Sequence, residues 1–182
     1  MPATIAFLRA INVGGHTVKM DTLRQLFRGL GLVQVSTFIA SGNILFETDR
    51  SDPTGLEGEI EAQLERALGF PVTTFLRTKE EMDEIVNHPV QPPSGFEDET
   101  LRIYTAFLKS EPSAEDLERV FRLRGAVDDF VSRGREIYWY CRIRSSESEF
   151  SGAVLEKNLR APATLRNMTT VYKLAALISA RT

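Results

Sequence analysis

Two short stretches one hundred residues apart constrain this chain more than any other feature: Ala6-Phe7-Leu8-Arg9 and Ala106-Phe107-Leu108-Lys109. Four matching residues are weak evidence alone. They gain weight because the same order of elements surrounds each. In the N-terminal half, hydrophobic periodicity predicts strands over Thr4–Ile11, Gln34–Ala40, Asn43–Thr48 and Val72–Arg77. Helices are predicted over Met20–Leu30 and Leu56–Leu68, stopped by Gly31 and Gly69. Ser41–Gly42 between two strands reads as a hairpin. A third helix, Lys79–Asn87, has Thr78 and Glu81 in the spacing of a capping box.

The segment Gln91–Glu99, with Pro92, Pro93 and Gly95, then reads as a linker. Beyond it the pattern restarts: strand Thr100–Lys109, helix Ala114–Leu123 capped by Ser113, a hairpin of Val127–Ser132 and Glu136–Ile143, and helices Phe150–Leu159 and Thr169–Ala180. A second local match, Thr74-Phe75-Leu76-Arg77-Thr78 with Ala163-Thr164-Leu165-Arg166-Asn167, falls at the equivalent place. The expected fold is α+β: two ferredoxin-like βαββαβ subdomains, each followed by an extra helix, packed as one compact unit. The expected divisions are 1–90, a linker at 91–99, and 100–182.

Composition bounds the function. The 182 residues are 42% hydrophobic and 26% charged, with a net charge of −3, ordinary values for a soluble domain. No apolar run is long enough to span a membrane, and no leader is read at the N-terminus, where Arg9 interrupts a short apolar stretch. One cysteine, Cys141, and two histidines, His16 and His88, leave no disulfide, thiolate cluster or histidine zinc site to expect. A cytoplasmic protein without metal or cofactor is therefore expected. The charge is uneven: residues 1–99 hold 8 Lys+Arg against 15 Asp+Glu, and residues 100–182 hold 14 against 10. Either the halves attract each other, or the basic half faces an anion.

Three motifs, "LRAINVGGHTVKM", "FIASGNILFET" and "TLRNMTTVYKL", together resemble the bacterial domain-of-unknown-function family 1697 over nearly the whole chain. The resemblance implies a fold of two ferredoxin-like halves and no activity. Met168 stands where that family commonly has tryptophan, so an aromatic stacking role there is not expected in this chain.

In a ferredoxin-like sheet of order 4-1-3-2, the end of strand 1 adjoins the start of strand 3. Asn12, Gly14 and Gly15 should then lie beside Ser41, Gly42 and Asn43. Successive glycines can turn amides inward as an anion nest. The helix start near Met20 and the charge of Lys19 would add to it. Alternation along Thr4–Ile11 puts Arg9 on the face of Ile5, Phe7 and Ile11; buried there, it needs a carboxylate or a bound anion. Arg166 and Asn167 precede the last helix, which Thr169 or Thr170 is expected to cap. An arginine there also wants an anionic partner. These residues make a small anionic ligand, possibly phosphorylated, the leading partner, at an edge between subdomains. A glycine turn with Arg9 paired to a structural acid explains the same residues without a ligand.

A single-stranded nucleic-acid module is the second reading, since this strand plan is shared with RNA-recognition domains. Tyr138 and Tyr140 alternate with Arg142 and Arg144 as such a surface would, although a contact between the two subdomains explains that face better. The pI of about 5.5 opposes it. A protein-interaction or structural role is the third. No nucleophile–base pair or metal triad can be read from the spacing. Glu57, Glu59, Glu61 and Glu65 read as a solvated helix face, Cys141 as a small buried hydrophobe, and His16 as an exposed loop residue.

Overall fold

The computed structural model describes residues 1–13 and 15–181. Strands β1 (Ala3–Leu8), β2 (Val33–Thr37), β3 (Asn43–Glu47) and β4 (Thr74–Thr78) form one antiparallel sheet in the order β2-β3-β1-β4. Strands β5 (Arg102–Leu108), β6 (Asp128–Arg133), β7 (Glu136–Cys141) and β8 (Ala163–Asn167) form a second, ordered β6-β7-β5-β8. Helices α1 (Met20–Gly29) and α2 (Pro53–Leu68) belong to the first βαββαβ repeat, and α4 (Ala114–Phe121) and α5 (Gly152–Leu159) to the second. Helices α3 (Lys79–Asn87) and α6 (Met168–Ser179) follow β4 and β8. The fold is thus α+β with two four-stranded ferredoxin-like halves. Contacts gather the chain into two units, Met1–Asn87 with Lys173–Thr182, and His88–Tyr172.

Each sheet buries one face under its two crossover helices. In the first unit Ala6, Leu8, Ile44, Phe46 and Leu76 meet Leu23 and Phe27 of α1 and Leu56, Ile60 and Leu64 of α2. In the second, Ala106, Leu108, Phe130, Ile137, Trp139 and Cys141 meet Val120, Leu155 and Leu159. Burying each Leu, Ile or Phe of these clusters contributes about 1.5–3 kcal/mol. Cys141 is buried in this cluster, where burial pushes its thiol pKa up and leaves it a packing residue.

The local stop and start signals act as their chemistry requires. Thr78 and Glu81 form the capping box of α3: the Thr78 amide donates to Glu81 Oε2 at 2.9 Å and the Glu81 amide to Thr78 Oγ1 at 3.3 Å. Ser113 caps α4, accepting from the Asp116 amide at 3.1 Å. Helix α2 starts earlier than its apolar spacing suggested, because Asp52 accepts from the Gly55 amide and Pro53 occupies the first turn. α6 is capped neither by Thr169 nor by Thr170; Asn167 Oδ1 accepts the Thr169 amide at 2.8 Å.

The largest departure lies at the first strand. β1 ends at Leu8 rather than Ile11, and Ala10 takes a left-handed φ of 59°. Alternation therefore stops before Arg9, whose side chain is exposed rather than held on the face of Ile5 and Phe7. The buried arginine of this sheet is Arg77, fully enclosed on β4. The acidic face of α2 was also misread. Glu57 is 4% exposed and accepts the Leu76 amide at 2.9 Å, while Glu61 accepts the Thr74 amide at 2.8 Å. Both carboxylates thus occupy outward N–H groups of the edge strand β4. Glu156 of α5 does the same for β8, accepting the Ala163 amide at 2.9 Å.

Candidate functional site

The loop leaving β1 and the β2–β3 turn do lie side by side. The Leu8 amide donates to the Gly42 carbonyl at 2.8 Å, and Phe7 pairs with Asn43 in register. Asn12 ties the two together. Its Nδ2 donates to the Ala40 carbonyl at 2.7 Å, while its Oδ1 accepts the Val18 amide at 2.7 Å. Its own amide donates to the His16 carbonyl at 3.0 Å. One short side chain thus closes the loop on itself and clasps it to the neighbouring turn, which φ of 58° at Asn12 permits.

The turn is shaped from within. Asn43, wholly buried, donates through Nδ2 to the Phe38 carbonyl at 3.1 Å and to Ser41 Oγ at 2.9 Å. Gly42 has φ of 74°, and a Cβ there would lie 3.0 Å from Leu8 Cβ and 3.2 Å from the Leu8 carbonyl oxygen. Its glycine is needed for both reasons. Ile39, 52% exposed, also has a positive φ, 51°. A β-branched residue in that region carries strain, and such residues collect at binding sites and switches.

Around this clasp stand Arg9, Lys19, Val13 and His16, all exposed, with Gly15 at φ 96°. His16 stacks on Phe70 at 4.1 Å between ring centroids. Lys19 is the N-cap residue of α1 and makes no side-chain cap, and Asp21 in the first turn is ion-paired with Arg24. Gly14 lies outside the described residues. Of the residues singled out from sequence, Arg9, Asn12, Gly15, Lys19, Ser41, Gly42 and Asn43 belong to this one edge.

Arg166 and Asn167 belong to the other unit. Arg166 precedes the last helix as expected, but within β8 and 8% exposed. Its Nη1 donates to Thr164 Oγ1 at 2.8 Å and to the Leu165 carbonyl at 2.9 Å. Burial pulls its pKa down to about 10, which still leaves it charged at neutral pH. Its counterpart Arg77 escaped notice in the sequence, although the match of Leu76-Arg77 with Leu165-Arg166 marks it. Ser36, Leu45, Ile5 and Arg77 form one cross-strand row. Val131, Tyr138, Thr105 and Arg166 form the matching row of the other sheet. Thr105 Oγ1 donates to the Met168 sulfur at 3.2 Å, so Met168 is a buried contact here.

Tyr138 and Tyr140 are 2% and 1% exposed. Burial foremost pushes both phenols to about 12, with the Glu136 carboxylate adding to the shift of Tyr138 and the Tyr172 and Asp129 charges to that of Tyr140. The Tyr140 hydroxyl donates to the Val90 carbonyl at 3.2 Å, and Arg133 donates to that of His88, so residues 88–90 are bonded to this sheet. The rings are therefore not presented to solvent as a stacking platform. Among the described residues, no group of three or more His, Cys, Asp or Glu is placed to hold a metal ion, and no helix is long and apolar enough to cross a membrane.

The chain is similar over its whole length to the conserved bacterial protein SP0830 from Streptococcus pneumoniae. The TM-score is 0.70 and the identity 24%, covering 98% of this chain and 99% of that one. That likeness bears on the fold alone. No curated protein matches. Residues 1–138 match the family model described as a protein of unknown function, DUF1697. With three quarters of its length matched, and the opening loop and its hairpin inside the matched span, the chain belongs to the DUF1697 family.

Proposed function

We propose that this protein binds a small anionic ligand, phosphate-bearing or carboxylate-bearing, at the edge built by residues 9–19 and 38–43. The observation that carries the reading is a contrast between the repeats. Eleven residues join β1 to α1, whereas five, 109–113, join β5 to α4. The same crossover needs no more than the shorter connection, so the longer one is not a requirement of the fold. Asn12 ties the described part of this loop to Ala40 and Val18, and its backbone is left-handed at Ala10, Asn12 and Gly15. Exposed Arg9 and Lys19 and the uncapped start of α1 supply positive charge and amide donors. The proposal makes no use of Arg166 and Asn167, which belong to the other unit and bond to Thr164, the Leu165 carbonyl and the Thr169 amide.

Thermal unfolding against phosphate, pyrophosphate, sugar phosphates and nucleotides tests this. A ligand at one hundred times its dissociation constant adds about 2.7 kcal/mol. The expected result is stabilisation by one of these classes, lost in Arg9→Ala and Lys19→Ala. Both side chains are exposed, so the variants should fold. Stabilisation by none of the anions, or stabilisation unchanged in both variants, overturns the reading. A single-stranded RNA is a useful control: the buried state of Tyr138 and Tyr140 predicts no response.

A further inference from the structure

The second unit contains a cavity of about 580 Å³ between β6 and the loop that follows β7, within the size range of small-molecule sites. Its apolar walls come from Val127, Ile143, Phe150 and Val154. Phe150 packs in tilted contact with Trp139 at 4.7 Å and Phe130 at 4.6 Å between ring centroids, so its ring is fixed at the floor of the cavity. The charged groups that line it are Asp128, Glu147 and Glu149; among the described lining residues there is no Lys, Arg or His.

Asp128 is positioned rather than mobile. Its Oδ1 accepts the indole N–H of Trp139 at 2.7 Å and its Oδ2 the hydroxyl of Ser148 at 2.7 Å. Both donors are neutral, so they orient the carboxylate without cancelling its charge. Of the guanidiniums near it, Arg124 pairs with Asp129 at 2.7 Å and Arg142 donates to the Ala126 carbonyl at 3.0 Å, while Arg144 on the same loop is exposed and is not a lining residue. An anion entering here would meet three carboxylates. A cation with an apolar body would meet charge of the right sign and the apolar side chains of Val127, Ile143 and Val154.

We propose that this cavity binds an organic cation, an ammonium group carried on an apolar body of about aromatic-ring size. The site is distinct from the anion edge in position and in sign. Titration calorimetry at low ionic strength with tryptamine and indole-3-acetate tests it, since these probes share a ring and differ in charge. Tryptamine should bind at least about tenfold more tightly than indole-3-acetate. Replacing both exposed carboxylates, Glu147→Gln with Glu149→Gln, should weaken tryptamine about fivefold, and Val154→Phe, which narrows the cavity, should weaken it further. Arg9→Ala should leave tryptamine binding unchanged, which separates this site from the proposed anion edge. Equal affinity for the two probes, no tryptamine binding, or binding indifferent to both the charge and the cavity variants overturns the proposal.

Discussion

The two units are the same fold written twice, and they differ most at one edge. Their strand orders match, and so do the cross-strand rows ending in Arg77 and Arg166. Yet the first unit spends eleven residues where the second spends five, and its hairpin turn runs over residues 38–42 where the second turns at Gly134–Arg135. Asn43, which pins that longer turn, stands where the second repeat has Glu136. A duplicated fold is its own control. What both copies retain answers to packing, and what one copy elaborates answers to something else.

The largest effect should come from the shared row. Arg77→Ala and Arg166→Ala should each destabilise the protein by about 3 kcal/mol, the scale for removing a buried charged hydrogen-bonding group, read by urea unfolding. A loss confined to one variant would break the equivalence of the two sheets. The next test separates the hairpins. Gly42→Ala should cost about 2–3 kcal/mol, because φ is 74° and the new Cβ meets Leu8 at 3.0 Å. Gly134→Ala should cost about 1 kcal/mol, since its nearest neighbour is a flexible Glu136 carboxylate at 3.8 Å.

A third prediction uses the buried tyrosine pair of β7, which has no counterpart in the first unit. Burial pushes the Tyr138 and Tyr140 phenols up to about 12 in the folded protein, against about 10 in the unfolded chain. The folded state therefore holds more protons between these values, and stability falls as pH rises from 10 to 12, by about 2 kcal/mol per buried phenol. Trp139, the one tryptophan, lies beside them and reports the second unit. Its fluorescence should change at lower alkaline pH than far-ultraviolet circular dichroism, and Tyr138→Phe should narrow that gap; coincident transitions would remove the distinction. The smallest effect is a gain. Ile39→Gly relieves a β-branched residue at φ 51° and should stabilise by about 0.5–1 kcal/mol in thermal melts.

These comparisons also show where sequence reading succeeds. The helix caps at Thr78 and Ser113 were legible because a cap is a local bargain between residues three apart. Strand order was legible from the element sequence and its repetition. Arg9 was misplaced because alternation is a rule about strands and says nothing of where a strand stops. Glu57 and Glu61 were misread because helical spacing tells which residues share a face and not what that face meets. The adjacency of the loop and the hairpin followed from topology. The clasp by Asn12 did not, since a single amide joining Ala40 to Val18 leaves no periodic trace. Arg77 was overlooked while its match with Arg166 stood in view.

The carboxylates that sit on β4 and β8 have a consequence for how the chain is made. An unpaired strand margin invites another polypeptide to add to it. Here the guard precedes the guarded: α2 leaves the ribosome before β4, and α5 before β8. Glu57, Glu61 and Glu156 are thus already available when each margin emerges, so a nascent or crowded chain never has to present those amides bare to its neighbours.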